Sequence, residues 1–123
     1  MTEAEINRAI AEHMEPEPQW ELARPDWWFS NGGCWKSELY TSDPAVRRAK
    51  AKPRDFLTDP AMLPVMLERM CKSQSYHGGI ELRWGPAVKQ YQCIFKDEMG
   101  VRAADNIQRA VCLAYLRAFG LEE

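Results

Sequence analysis

Apolar residues recur at helical spacing near the start of the chain, which predicts a helix over residues 3–14. Thr2 and Glu5 have the spacing of a capping box, in which the two side chains satisfy first-turn amides. The inner face of this helix carries Ile6, Ala9, Ile10, His13 and Met14. Prolines end the helix because their rings remove amide donors, so residues 15–24 are predicted to be a stiff, acidic connector.

An aromatic-rich stretch occupies residues 26–39. Its Asn31-Gly32-Gly33 segment tolerates the positive φ of a tight turn, which predicts two paired strands. Trp27 and Trp28 are adjacent, so in a strand their rings face opposite sides of the sheet. A two-sided sandwich would bury both rings, whereas a surface site would use one of them to anchor a partner. Trp20, just beyond the prolines, is expected to be exposed.

Residues 41–55 have no periodicity and contain two prolines, so they are predicted to form a loop, with room for one short helical turn. A second helix is predicted from Asp59, as N-cap, to about Lys72. Pro64 removes an early hydrogen bond, so the expectation is either a distorted first turn or a regular helix that begins nearer residue 62. The inner face of this helix is expected to carry Leu63, Met66, Leu67 and Met70.

Two further extended runs, Ile80 to Trp84 and Val88 to Phe95, are separated by Gly85-Pro86 and predict a second hairpin. Alternation within the second run places three residues on the core side: Tyr91, Cys93 and Phe95.

A last helix is predicted from about Ala104 to Phe119 and is ended by Gly120, a residue suited to a left-handed cap. The resulting order is helix, two strands, helix, two strands, helix. This order is typical of an α+β fold, in which helices cover a small antiparallel sheet of about four strands. Residues 1–123 fit one domain.

The net charge of the chain is -2 and its pI is near 5.7. These values argue against a surface that binds nucleic acid generally, so any basic site must be local. No apolar stretch has the length of a membrane span, and the chain does not open with a basic and then apolar signal segment. The sequence therefore predicts a cytoplasmic protein without a membrane partner.

The four cysteines, at positions 34, 71, 93 and 112, lack paired C-x-x-C spacing and are predicted to be free, mostly buried thiols. His13 lies on the apolar helix face, as a core histidine does. With only one other histidine, His77, a histidine metal site is not expected, and no cofactor is predicted. Cys71 with His77 could act as nucleophile and base, but no third orienting group is evident from spacing.

Asp97 and Glu98 resemble an acidic hairpin tip. Together with Asp105 they could be imagined as a magnesium site, but such sites usually have more ligands, which favours a turn. The two Gly-Gly pairs lack the strand-to-helix context of a phosphate-binding loop.

Three strings in the chain are similar to the phage ABA sandwich domain proteins, a family of small proteins of bacteriophages and prophages. The strings are the opening helix from Ile6 to Glu12, the segment Phe56 to Met62 before the middle helix, and the closing segment from Arg109 to Leu121. The resemblance implies a single-domain α/β/α sandwich with three helices, and a family without an assigned reaction. The basic segment near residue 50 and Pro64 depart from the family pattern.

The densest charge feature contains five cations within eight residues: Arg47, Arg48, Lys50, Lys52 and Arg54. Cations on a loop can grip phosphates, and nearby aromatic rings can stack on bases. The alternative is a solvated loop whose charge only keeps the protein soluble.

The sequence thus favours a non-enzymatic phage or prophage accessory protein that binds a host or viral macromolecule. A host or phage protein is the expected partner, and a local nucleic-acid or phosphate contact is an alternative. The candidate binding residues are Trp20, Arg47, Arg48, Lys50, Lys52 and Arg54. A binder of a small anionic ligand, such as a nucleotide, and an enzyme using Cys71 and His77 are the other hypotheses.

Replacement of the basic segment by glutamate is expected to abolish partner capture and to leave the melting temperature nearly unchanged. Affinity capture and thermal denaturation test the expectation. An unaltered capture would reject the segment as the contact.

Overall fold

The computed structural model describes residues 1–25, 27–38, 41–73, 79–95 and 101–122. Within these ranges the chain forms helices α1 (Glu3–Met14), α2 (Pro44–Lys50), α3 (Met62–Ser73) and α4 (Ile107–Ala118). The strands are β1 (Trp20–Arg24), β2 (Trp27–Ser30), β3 (Trp35–Ser37), β4 (Lys52–Pro53), β5 (Ile80–Gly85), β6 (Gln90–Phe95) and β7 (Val101–Ala104). Four residues of the sequence analysis lie outside the described residues: His77, Gly78, Asp97 and Glu98.

The predicted ends of the helices are confirmed where a capping residue defines them. The Thr2 hydroxyl accepts a hydrogen bond from the Glu5 amide at 3.2 Å and starts α1. Helix α3 begins at Met62, three residues after the predicted N-cap Asp59, which agrees with the later of the two predicted starts. Gly120 has a φ of 68° and follows α4, a conformation that glycine adopts without a steric penalty.

The strands form two antiparallel sheets, one in the order β1-β2-β3-β4 and one in the order β5-β6-β7. The predicted α+β class is confirmed. The predicted single sheet of about four strands under three helices differs from the described residues, which contain two sheets and four helices.

Three predicted segments differ from the observed structure. The connector 15–24 contains strand β1, which pairs with β2 once the prolines are passed. The predicted loop 41–55 contains α2, capped by the Asp43 carboxylate, and β4. Residues 101–104, where the last helix was expected to begin, form β7 instead, and Asn106 caps α4.

The core lies around α4, which packs against β6 and β7 of the second sheet and against α1 and α3. Helix α4 buries six of its residues: Ala110, Val111, Cys112, Ala114, Tyr115 and Leu116. The same contiguous core includes Trp35 from the first sheet and Cys93 from the second. Of the residues predicted on the core side of β6, Cys93 is buried, whereas Tyr91 is 37% exposed.

The segment that follows β4 is anchored by side chains from two helices. Asn7 of α1 accepts a hydrogen bond from the Phe56 amide at 2.9 Å. Gln108 of α4 donates to the carbonyl oxygens of Phe56 and Asp59 at 2.8 and 2.6 Å. The anchored segment directly follows β4 and therefore fixes this strand at the edge of the first sheet.

The first hairpin is fixed by Ser30 and Glu15. The Ser30 hydroxyl accepts hydrogen bonds from the amides of Cys34 and Trp35 at 3.2 and 3.1 Å. The Glu15 carboxylate accepts from the Gly32 amide at 3.0 Å, and Gly33 has a φ of 70°. These bonds set the register of β2 and β3, and with it the face on which each side chain lies.

His13 is a core histidine, as predicted from its position in α1. Its Nδ1 lies 2.5 Å from the Tyr115 hydroxyl, and its ring centroid lies 4.3 Å from that of Phe119. Burial, and secondarily the charge of Arg69, lowers the pKa of His13 from its ordinary value.

This lowered pKa predicts that the protein loses stability in mild acid. As the pH falls below about 6.5, the unfolded chain takes up a proton at position 13 before the folded protein does. The free energy of unfolding should therefore decrease until the pKa of the folded state is passed. Urea denaturation between pH 8 and pH 5 measures this decrease, and His13→Gln should reduce it. Equal pH dependence of the two proteins would contradict the assignment.

Candidate anion-binding face

Strand alternation sorts the aromatic residues of the first sheet onto two faces. Trp28 pairs with Ser37 and Trp35 pairs with Pro53, so these rings lie on what we call the inner face. Phe29 pairs with Lys36, and Lys36 pairs with Lys52, which places them on the opposite, outer face. The predicted division of Trp27 and Trp28 between the two faces is thus confirmed by register.

Arginines cover the inner-face rings closely. The Arg47 guanidinium lies 3.9 Å from the centroid of Trp28, and the Arg48 guanidinium lies 4.0 Å from that of Trp35. Arg47 is only 4% exposed. A desolvated cation over an indole at this distance contributes about 2 kcal/mol or more. These two arginines therefore seat α2 against the sheet.

The basic segment is thus divided by the structure. Arg47 is buried and Arg48 is half-buried, whereas Lys50 and Lys52 are exposed. Arg54 forms an ion pair with Asp59 at 3.6 Å. The interpretation of residues 41–55 as a uniformly solvated loop was wrong, because α2 turns two of its cations towards indole rings.

Trp20 is half-buried and packs against the core, with the Arg47 guanidinium 5.9 Å from its ring. The expectation that Trp20 is exposed was wrong, since β1 pairs with β2 and turns this ring to the inner face. The exposed indole is Trp84, which is 51% exposed in the second sheet.

The outer face carries a second pair of rings, and their surroundings are different. Trp27 and Phe29 are half-buried, lie nearly parallel at 15°, and have centroids 5.9 Å apart. The cations above them are distant: Arg24 lies 5.4 Å and Lys36 lies 6.0 Å from the Trp27 ring. These distances are longer than the 3.9 and 4.0 Å contacts of the inner face, so the cations cover the outer rings less closely.

Three lysines border the Trp27 ring. Lys36, Lys50 and Lys52 line a cleft with Trp27, and none of them forms an ion pair with a carboxylate among the described residues. Lys36 and Lys52 are register partners, so two like charges face each other across β3 and β4. This arrangement costs stability.

The cleft beside Trp27 has a volume of about 190 Å³ and is also lined by Ser37 and Glu38. Small-molecule sites usually have about 300–1,000 Å³. Glu38 at the cleft and Glu21, the register partner of Phe29, are the carboxylates of this face. Among the described residues, this face therefore combines five cations with these two carboxylates, and one of the five, Arg54, is ion-paired with Asp59. The five are Arg24, Lys36, Lys50, Lys52 and Arg54. The net charge of the whole chain is -2.

Two other cavities are larger, and among the described residues three of the four basic side chains that line them, all but Arg69, form ion pairs. One, of about 440 Å³, is lined by Arg102 and Arg109, which form ion pairs with Glu122 at 2.7 Å and Glu3 at 3.3 Å. The other, of about 510 Å³, includes Lys72, paired with Glu68 at 2.7 Å. The cleft beside Trp27 has the greater excess of positive charge.

The thiols do not form a nucleophilic site within the described ranges. All four cysteines are free; Cys71 is exposed and the others are buried. Burial raises the pKa of Cys93 to about 11 and that of Cys112 to about 12. Burial and the nearby Glu15 carboxylate raise the pKa of Cys34 to about 12. These three thiols stay protonated at neutral pH.

Within the described ranges, no group of three or more His, Cys, Asp or Glu residues could hold a metal ion. None of the helices there is long and apolar enough to cross a membrane.

Sequence reasoning placed Lys50, Lys52 and Arg54 among the candidates but missed Lys36 and Arg24. Lys36 stands alone between Trp35 and Ser37, so it does not belong to a visible run of charge. The predicted hairpin could have revealed it, because the turn at residues 31–33 places position 36 near position 29. Arg24 could be identified only once β1 was known. A register shift in β1 between Leu22 and Arg24 makes Arg24 the partner of Trp27.

No protein-family model, no curated protein and no solved structure matches this chain.

Because Arg47 is buried, replacement of the whole basic segment by glutamate is no longer expected to leave the melting temperature unchanged. Arg47→Glu should lower the free energy of unfolding by at least about 2 kcal/mol, because it removes the cation over Trp28 and buries a carboxylate. Lys50→Glu, in the same helix but exposed, should change it by no more than about 0.5 kcal/mol. Urea denaturation of both variants measures the difference. Equal effects would show that Arg47 does not seat the helix.

Proposed function

We propose that this chain is a non-enzymatic binding protein that holds a phosphate-rich macromolecule on the outer face of its first sheet. The face offers cations, two aromatic rings and a shallow cleft. Binding, rather than chemistry, fits the described residues, since the ionisable groups of the face are lysines, arginines and two separate glutamates.

The observation that carries the proposal is the opposition of Lys36 and Lys52 in register across β3 and β4. An opposite charge or an uncharged residue at one of these positions would make the sheet more stable. A polyanion supplies the missing negative charge and releases counterions when it binds. The stability that the opposed lysines cost is then recovered in the complex.

The size of the cleft favours a macromolecule over a small anionic ligand such as a nucleotide. At about 190 Å³ the cleft is smaller than a site that encloses a whole small molecule. It can hold a phosphate or part of a base, while the remainder of the ligand lies across the strands.

The resemblance to the phage ABA sandwich domain proteins supports the same kind of activity, because that family has no assigned reaction. A phage or prophage origin and the three-helix α/β/α sandwich stay predictions from this resemblance. We take from it only the expectation of an accessory protein that acts by binding.

Removal of the opposed lysines should separate binding from stability. The double variant Lys36→Gln, Lys52→Gln should lose affinity for polyanions and keep or slightly increase its free energy of unfolding, by up to about 0.5 kcal/mol. If both lysines contact phosphates, the slope of log K against log salt should become less steep by about 1.4 to 1.8. Fluorescence anisotropy with labelled polyphosphate, single-stranded DNA and duplex DNA at several salt concentrations measures this.

The matched control is the double variant Lys72→Gln, Lys89→Gln. It removes the same charge from exposed positions on α3 and on the turn between β5 and β6. Its salt slope should stay close to that of the unaltered protein. The proposal fails if none of the polyanions binds, or if the two double variants lose affinity equally.

A further inference from the structure

We infer that the ligand of the outer face is a single-stranded polynucleotide, with Trp27 stacking on a base while Lys36, Lys50 and Lys52 contact phosphates. This inference rests on the proposed function and names the class of polyanion. It depends on the difference between the rings on the two faces of one sheet.

Cations cover the inner rings more closely than they cover the outer rings. Trp28 and Trp35 have guanidinium groups at 3.9 and 4.0 Å from their centroids, which is the distance of direct packing. The cations over the Trp27 ring, those of Arg24 and Lys36, lie 5.4 and 6.0 Å from its centroid. A base can take the place of these side chains, which then become free to contact its phosphates.

The arrangement of rings and cations fits an unpaired strand. Trp27 and Phe29 present two nearly parallel rings on a sheet, and sheet aromatics stack on the splayed bases of single strands. In a duplex the bases are stacked inside, so the Trp27 ring would face only sugar and phosphate. An acidic peptide would satisfy the lysines but would make little use of two parallel rings.

The dimensions predict a short binding site. The row from Phe29 through Lys36 to Lys52 crosses three adjacent strands, which is about 10 Å. Trp27 extends the site along β2 by about 7 Å. A surface of this size accommodates a few nucleotides, at the low end of the roughly 4–16 nucleotides that one single-strand-binding fold covers.

The test uses three labelled probes in fluorescence anisotropy: an oligothymidylate of about ten nucleotides, the corresponding oligouridylate, and a DNA duplex of equal length. At least one of the single strands should bind at least about tenfold more tightly than the duplex. Whichever single strand binds more tightly identifies the preferred sugar. Trp27→Leu should weaken single-strand binding by about 5- to 150-fold, the range for loss of one stacking residue.

Trp84→Leu is the matched control, because Trp84 is an exposed indole on the second sheet, and it should leave the affinity unchanged. Trp27→Phe keeps an aromatic ring and should restore most of the affinity lost in Trp27→Leu. The Trp27→Phe variant also gives a readout that does not depend on whether Trp27→Leu folds. Quenching of indole emission by the oligonucleotide should disappear in Trp27→Phe and persist in Trp84→Phe.

Two results would overturn the inference and leave the proposed function standing. One is duplex or polyphosphate binding as tight as single-strand binding; the other is equal affinity of the Trp27→Leu and Trp84→Leu variants. Failure of all three probes and of polyphosphate would instead remove the proposed function itself.

Discussion

The alternation of side chains along β2 and β3 is the constraint on which the rest of this structure depends. It sends Trp28 and Trp35 to one face of the first sheet and Trp27, Phe29 and Lys36 to the other. A shift of one residue would reverse this division. Ser30 and Glu15 hold the turn in place through three hydrogen bonds to backbone amides. The turn thus decides which indoles become core and which stay available.

The two faces use the same residue types for different purposes. On the inner face, arginine and tryptophan pack at about 4 Å, and the guanidinium groups are buried or half-buried against the rings. On the outer face the cations are mostly lysines, which keep strongly hydrated ammonium groups on flexible stems. The arginines therefore pack helix α2 against the first sheet. The lysines instead keep hydrated charges on the outer face, where they can contact an anion.

Sequence reasoning found the elements whose ends are marked by local chemistry. The capping pair at Thr2 and Glu5, the glycines at the first turn and Gly120 each require a particular backbone conformation. Helix α2 was missed because the residues that it turns inward, Arg47 and Arg48, count as polar in any periodicity analysis. Strand β7 was missed because its Val-Arg-Ala-Ala sequence has no strand signal and directly precedes a strong helix.

The candidate face could be predicted only in part, since it is assembled from three strands and the end of a helix. Lys50 and Lys52 were evident as a run of charge, whereas Lys36 becomes a candidate only through its register with Lys52. The overall charge of -2 was also misleading, because five of the 16 basic residues lie together on one face. The pairing register of the strands determines where these cations gather, which the composition of the chain does not reveal.

The most direct test is to map the contacts by NMR while a single-stranded oligonucleotide is added to isotope-labelled protein. The account predicts that the Trp27 indole N–H and the amides of Phe29, Lys36 and Lys52 shift together. The indole N–H signals of Trp35 and Trp84 should stay in place. Shifts confined to the second sheet, or centred on the cavity lined by Arg102 and Arg109, would contradict the account.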